Sequence, residues 1–389
     1  MLDAFLQIGS RVHLASTRQF ADQQWTENAV SALQARGLEQ VWIYQRFRGQ
    51  ALPDRVEAHF RPQQQSLGKY HFCSWWLRRW FKELVFRIEP SCIVIHYAFA
   101  DRLIEHARYR NIYRIIEMHD LLSVNLQIRQ WLDGKITEFT RTGHANDLFN
   151  PNLRWDEKFS VSDEELAIYD QYDAVIAISQ REQLSLQSRL RRARAVWIPM
   201  HIPPVNFDNS YDGPPIFIAS ENIFNRAGLM LLVNDLLQRI IRQCPDFRLD
   251  VIGKISEFAI PSPNVRYLGY VPQLDDVCRK AAFAICPVFA GTGQQVKVIE
   301  AMAHGLAVVA FRGTAIESPL QHGKNGLVAT DSDDFARHLV TMWRNRDLCR
   351  QLGIAAGATL AKPDTTAKAL RNLMLHTNQT APHLASPII

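Results

Sequence analysis

Gly291-Thr292-Gly293-Gln294-Gln295-Val296-Lys297-Val298-Ile299-Glu300-Ala301-Met302-Ala303-His304-Gly305 is the stretch whose reading decides the fold. The apolar run Ala282 to Pro287 leads into it, and Leu306-Ala307-Val308-Val309-Ala310-Phe311 follows. The pattern reads strand, small loop, short helix, strand. A glycine-bearing loop that opens a helix after a strand is an anion site: its backbone N–H groups are unpaired and face one way, and the helix dipole adds positive potential. Lys297, one turn in, adds a formal charge. Glu300 lies three residues later on the same helix face. A phosphate cradle with a carboxylate beside it suits a nucleotide, because the carboxylate accepts hydrogen bonds from ribose hydroxyls. An ordinary strand-to-helix turn with a surface Lys and Glu accounts for the same residues, and one GxG does not separate the two.

Strand and helix patterns alternate on both sides of this stretch. Downstream of a loop-like segment from Pro203 to Pro215, strands are expected at 216–219, 249–252, 265–268, 282–286, 308–310 and 326–328. Residues 331–376 read as mostly helical and 377–389 as a polar tail. Upstream, Leu2, Phe5 and Leu6 share a helix face that Gly9 stops, Val12–Ala15 is a short strand, 20–35 is helical and 41–44 is a strand. Residues 50–68 read as polar loop or linker. Strands follow at 92–97, 113–118, 174–178 and 195–199, with Ser162 and Ser179 placed as helix N-caps. Residues 124–160 read as a mixed insertion, a lid or an acceptor-side feature, with Asn150-Pro151-Asn152 as turn material. Such alternation means parallel sheets with right-handed crossovers. Two domains are therefore expected, 1–205 and 206–376, followed by the tail 377–389, with a cleft between them.

Composition narrows the class. A chain of 389 residues with 47% hydrophobic and 21% charged residues has the balance of a globular protein with a sizeable core. A formal charge of +5 over this length does not argue for nucleic acid, and no zinc-finger or RNA-binding spacing is present. The six cysteines are scattered without a CxxC, as in a reducing compartment. No run approaches about 18 apolar residues, and the first residues lack a signal-peptide design. The expected location is the cytoplasm.

Two further features carry chemistry. Tyr113 to Met118 is a strand that ends in His119-Asp120, where open α/β sheets bind their ligands. A histidine there can orient a reacting hydroxyl or a donor phosphate; a histidine satisfied by a neighbouring backbone group is the plainer alternative. The stretch 72–88 is basic and Trp-rich, with Phe72, Trp76 and Trp80 at helical spacing and Leu77, Phe81, Leu84 and Ile88 alongside. Its aromatic stripe packs on a sheet, or one edge rests on an anionic membrane at the inner face.

The order of these elements resembles the retaining glycosyltransferases of the GT-B fold, the glycosyl transferases group 1 (family 4) set. The similarity runs through Ala219-Ser220-Glu221, Asn225-Arg226-Ala227-Gly228-Leu229, Leu249 to Gly253, Val265 to Val271, and Gly291-Thr292-Gly293 to Val309. His119-Asp120 and Asp173 to Ser179 are similar to the family's acceptor domain. The resemblance implies two Rossmann-like domains and transfer of a sugar, with retained configuration, from a nucleotide-diphosphate donor to a glycan or lipid-linked acceptor, in cell-surface polysaccharide synthesis. It implies Glu300 on the ribose; Gly291, Thr292 and Gly293 at the diphosphate with Lys297 neutralising it; Tyr270 and Val271 by the base; and Ser220, Asn225, Arg226 and Gln294 on the donor side. His119 would hydrogen-bond the transferred sugar, with Asp120 beside it. It implies no cofactor and no metal.

Three positions depart from the family's pattern. Thr292 stands where many members carry a glutamate, Arg226 is the nearest cation to the first loop of the second domain, and the chain begins inside the family's first helix. A first strand is therefore expected to be missing, leaving an open sheet edge. A catalytically weak binding protein on the same fold and a GT-B sugar-nucleotide epimerase are the alternative functions.

Overall fold

The structure is a computed structural model that describes residues 1–17, 25–60, 73–143, 148, 155–205, 208–361 and 365–378. Its contacts divide into two compact units: 1–123 with 161–199 and 364–389, and 124–160 with 200–363. This partition differs from contiguous halves of 1–205 and 206–376. The helix Thr366–Asn378 packs on the first unit, against α1 (Leu2–Gln7). The expected insertion, 124–160, belongs to the second.

The first unit holds β1 (His13–Thr17) and β2 (Gln40–Tyr44) as a two-stranded parallel sheet. A four-stranded parallel sheet runs in the order β3 (Cys92–His96), β4 (Tyr113–Met118), β5 (Ala174–Ala177), β6 (Arg194–Trp197). Of the two central strands, β5 is a continuous apolar run, as burial on both faces demands, and β4 is apolar apart from the buried Arg114 and Glu117. Ala4 and Phe5 of α1, Cys92, Ile115, Ile176, Ile198, and Leu370 and Leu373 of the helix Thr366–Asn378 form one buried cluster. Each large side chain in it contributes about 1.5–3 kcal/mol.

One expectation is corrected here, and two expected helices are present with shorter described bounds. Residues 51–60 are a helix, α3 (Ala51–Phe60), within the stretch read as loop; 61–68 lie outside the described residues. Its start is anchored by Gln50, fully buried, which accepts a 2.8 Å hydrogen bond from the Tyr44 hydroxyl. Pro53 stands in the first turn, where its missing N–H costs nothing. The helix expected over 20–35 is α2 (Glu27–Ala35), capped by Thr26, and 20–24 are outside the described residues. The basic Trp-rich stretch is α4 (Trp75–Ile88), capped by Ser74; Phe72 is outside the described residues. Leu77, Phe81, Leu84 and Val85 form its buried face, and Trp75 and Phe86 are 47% and 82% exposed.

The largest correction is α5 (Leu122–Thr142), a helix of 21 residues where a mixed insertion was expected. Val124, Ile128, Leu132 and Phe139 are its buried stripe. Its amino end is capped by carboxylates from elsewhere in the first unit: the Leu122 and Ser123 N–H groups donate to Glu165 at 2.8 and 2.9 Å, and the Leu121 N–H donates to Glu182 at 3.2 Å. Both acids are fully buried. They satisfy otherwise orphaned donors and complement the helix dipole. The turn expected at 150–152 is outside the described residues.

The second unit holds β7 (Ile216–Ile218), β8 (Leu249–Ile252), β9 (Val265–Gly269), β10 (Ala284–Cys286), β11 (Val308–Phe311) and β12 (Gly326–Ala329). They form a six-stranded parallel sheet in the order β12-β11-β10-β7-β8-β9. All six were legible as strands. β7 pairs with β10 through Ile216 and Ala284. From β7 the chain proceeds to β8 and β9 on one side; from β10 it proceeds to β11 and β12 on the other. The two loops that leave β7 and β10 therefore diverge, and a crevice opens between them at the carboxyl ends of the strands.

Candidate active site

At that divergence in the second unit, the loop after β7 carries Ser220 and the loop after β10 carries Gly291, Thr292 and Gly293. Gly291 has φ 145° and Gly293 has φ 70°, a region L side chains rarely adopt, so glycine is required for the loop to turn back into its helix. That helix is Val296–Ala303. The helix that follows β7, Ile223–Leu231, approaches the exit of β10 at Gly228. A Cβ there would stand 3.1 Å from the Pro287 carbonyl oxygen, so the close approach depends on its absence.

Three residues expected on the donor side are joined by hydrogen bonds. The Lys297 ammonium donates to Asn225 Oδ1, and Asn225 Nδ2 donates to the Ser220 carbonyl at 2.8 Å. Asn225 is itself fixed as the third residue of a capped helix start, its N–H donating to Asn222 Oδ1 at 2.9 Å. Burial pushes the Lys297 pKa below its ordinary value, with Cys286 and Glu300 opposing the shift. Glu300 is one turn further along and half-buried. The Thr292 hydroxyl is buried with no hydrogen-bond partner, so this is the polar atom of the loop that a ligand would satisfy.

The remaining expected residues stand apart from this network. Gln294 accepts a 2.7 Å hydrogen bond from the Met200 N–H. The Arg226 guanidinium lies over the Phe258 ring at 4.2 Å. Tyr270 follows the edge strand β9 and is 81% exposed; Val271 is next to it. β9 is two strands from β7, a displacement of roughly 10 Å at the usual strand spacing.

The first unit places a second constellation at the carboxyl ends of β3 and β4. His96 and Glu117 are register partners across the parallel ladder. His119 follows Glu117 by two residues, which puts it on the same side. His96 Nδ1 is 3.3 Å from His119 Nε2 and 3.1 Å from Glu117 Oε2. Glu117 is 5% exposed, and its Oε2 has no aligned hydrogen-bond donor. Burial raises the Glu117 pKa, opposed by His119; burial lowers the His119 pKa, opposed by Glu117. Tyr97 stacks on His119, ring centroids 4.4 Å apart and planes 25° from parallel. Its backbone has φ 66° and ψ 140°, a costly conformation for a residue with a side chain. Asp120 lies close enough that its charge, after burial, helps to raise the Tyr97 phenol pKa.

His96, Tyr97 and Glu117 were absent from the expected site. The signal for Glu117 was present: Glu117-x-His119 on a strand shares one face. The pairing of His96 with Glu117 depends on ladder register, which no local pattern states.

Residues 214–345 match the family model of the glycosyl transferases group 1. An uncharacterized 44.6 kDa protein in the cps region of Klebsiella pneumoniae is 23% identical over 254 residues, 60% of this chain and 63% of that protein. A phosphatidyl-myo-inositol mannosyltransferase of Mycobacterium leprae (strain TN) is 31% identical over 143 residues, 34% of this chain and 38% of that protein. The chain thus spans less than two thirds of the length of either relative. Among solved structures, Anabaena HepE in complex with UDP and glucose superposes with a TM-score of 0.56 at 14% identity, covering 95% of this chain and 100% of that one. At that identity the likeness establishes the fold. Among the described residues no helix is long and apolar enough to cross a membrane. With its glycine loop, its divergent crossovers and its two parallel α/β units, the chain has the GT-B fold, and its similarity to the glycosyl transferases group 1 covers residues 214–345, about a third of its length.

Proposed function

We propose that the protein is a glycosyltransferase that moves a sugar from a nucleotide-diphosphate donor to a glycan or lipid-linked acceptor with retention of configuration, in the assembly of a surface polysaccharide. The observation that carries this reading is the Ser220–Asn225–Lys297 network beside the Gly291–Gly293 loop, inside the segment that matches the family. In this reading the diphosphate lies against the loop N–H groups, Thr292 and Lys297. Glu300 accepts hydrogen bonds from the ribose, and the base lies toward Tyr270 and Val271. As the bond between the anomeric carbon and the diphosphate breaks, negative charge grows on the leaving oxygen. Lys297 and the amino end of Val296–Ala303 are already placed to meet it, without reorganisation. His119, neutral near pH 7 by its lowered pKa, holds a hydroxyl of the transferred sugar, with Asp120 beside it.

The polysaccharide role is supported by the relative in a cps region. A sugar-nucleotide donor is supported by HepE, solved with UDP and glucose. For the acceptor side, α4 leaves Trp75, Phe86, Arg79, Lys82 and Arg87 outward while its other face is buried. An outer face of this composition suits the anionic surface where lipid-linked acceptors reside. The test is incubation of purified protein with a panel of sugar nucleotides: hydrolysis or transfer of one donor supports the reading, and binding of none contradicts it.

A further inference from the structure

We infer that His96, Glu117 and His119 form a binding site for a borderline divalent transition-metal ion of the Zn2+ type. The argument begins with the ladder. Parallel register sets His96 beside Glu117, and the two-residue period returns His119 to the same side, so three potential ligands converge from two adjacent strands. Two imidazoles and one carboxylate are a ligand set that zinc takes in open sites.

The distances agree with that chemistry. With metal–ligand bonds of about 2.0–2.1 Å and roughly tetrahedral angles, neighbouring ligand atoms stand about 3.3 Å apart. His96 Nδ1 stands 3.3 Å from His119 Nε2 and 3.1 Å from Glu117 Oε2, and one ligand atom from each of the three residues lies within 4.8 Å of the others. The three are therefore spaced to face a common ion with little rearrangement.

An independent observation points to a ligand. Glu117 is more than nine-tenths buried, yet its Oε2 accepts no hydrogen bond; the nearby His96 nitrogen is close but not aligned to donate. A buried carboxylate oxygen without a donor is destabilising, and a cation would satisfy it. The His96 side chain is half exposed, which gives an ion a path of entry and leaves coordination positions for water. Tyr97, stacked on His119, holds that ring in place.

An ion here takes Nε2 of His119. On the proposed transferase reading, which this one consequence requires, the ion and a sugar hydroxyl compete for the His119 imidazole, and zinc acts as an antagonist of transfer. The binding itself does not depend on that reading.

The test is titration of the full chain, freed of metal, with Zn2+ by calorimetry and with Co2+ by visible absorption, in the absence of any sugar nucleotide. The expected result is one Zn2+ per chain, a Co2+ band of low-symmetry coordination, and binding weakened at least about tenfold in His96→Ala and in Glu117→Gln. His96→Ala removes a half-exposed side chain, and circular dichroism of both variants reports whether the fold is kept. No Zn2+ uptake by the folded wild type overturns the inference. So does uptake that is unchanged in folded His96→Ala, which would place the ion elsewhere. Because no donor is present, loss of this proposal leaves the transferase reading untouched, and the reverse holds as well.

Discussion

Lys297, in the first turn of the helix after the glycine loop, donates its ammonium hydrogen bond to Asn225 Oδ1 across the crevice where the sheet of the second unit changes direction. The two residues are 72 positions apart in the chain and meet because β7 and β10 are neighbours. The amide hydrogen-bonds a half-buried cation. A nucleotide diphosphate would recruit that cation without having to order it, which is preorganisation built from one neutral partner.

Replacing the cation should therefore act on binding. Lys297→Met keeps the length of the side chain and removes a charge-assisted contact of about 1.5–3 kcal/mol. The expected effect is a roughly 10- to 150-fold rise in Kd for a nucleoside diphosphate, measured by calorimetry. Asn225→Ala should weaken binding less, because Lys297 survives but loses its orientation.

The same lysine gives binding a pH dependence with a definite sign. Its pKa in the free protein is held below the ordinary value, chiefly by burial. A bound diphosphate favours the charged form and raises that pKa. Between the two values, binding takes up a proton, so affinity falls as pH rises, by at most about tenfold per pH unit. Calorimetry in buffers of different ionisation enthalpy reads the uptake directly. Equal uptake in wild type and Lys297→Met would remove Lys297 as its source.

How much of this was legible without coordinates depends on the range of the contact involved. The six strands of the second unit announced themselves as apolar runs bounded by turns, and Lys297 and Glu300 as a pair one turn apart on a helix. α5 was missed although Val124, Ile128, Leu132 and Phe139 carry a usable helical period. Its other positions mix Arg129, Asp133, Lys135, Glu138 and Arg141 with Gln, Thr and Gly134, which diluted the signal, and its cap is supplied by Glu165 and Glu182 more than forty residues downstream. α3 was masked by Pro53 and by a polar composition that Gln50 anchors from inside. At the site, Arg226, expected on the donor side, lies over the Phe258 ring. Nothing local in the sequence announces that stacking.

The close approach at Gly228 can be tested through stability. Gly228→Val would drive side-chain carbon toward the Pro287 carbonyl, which a Cβ alone already meets at 3.1 Å. Overpacking of this kind costs about 1–3 kcal/mol. For a unit of this size, Tm should fall by roughly 2–4 °C per kcal/mol. A Tm equal to wild type would show that the helix Ile223–Leu231 can slide away from β10.

In the first unit, His119→Ala should lower kcat more than it raises KM, with little change in Tm, because His119 is partly exposed and its partners are His96 and the Tyr97 ring. Tyr97→Phe preserves the stack and should retain most of the turnover. Tyr97→Gly relieves the strained backbone, worth about 1–3 kcal/mol, and loses the stack; the expected outcome is a fold no less stable than wild type with reduced turnover. Paired Tm and kinetic measurements on the two variants separate these effects.

Exposed Trp75 and Phe86 predict association with a charged interface. Vesicles containing anionic lipid should float with the wild type, and Trp75→Ala with Phe86→Ser should reduce the floated fraction severalfold. Absence of wild-type flotation counts against a membrane-proximal acceptor.

The central claim is that the crevice between the β7 and β10 loops binds the nucleotide of a sugar donor, with Glu300 on the ribose. The most direct measurement is calorimetric titration of wild type and Glu300→Ala with a panel of nucleoside diphosphates and their sugars. The account predicts that one nucleotide binds the wild type and that Glu300→Ala weakens it by roughly tenfold or more, as expected for loss of a hydrogen-bonded carboxylate. Wild-type affinity in Glu300→Ala, or binding of none of the panel to the folded wild type, would contradict it.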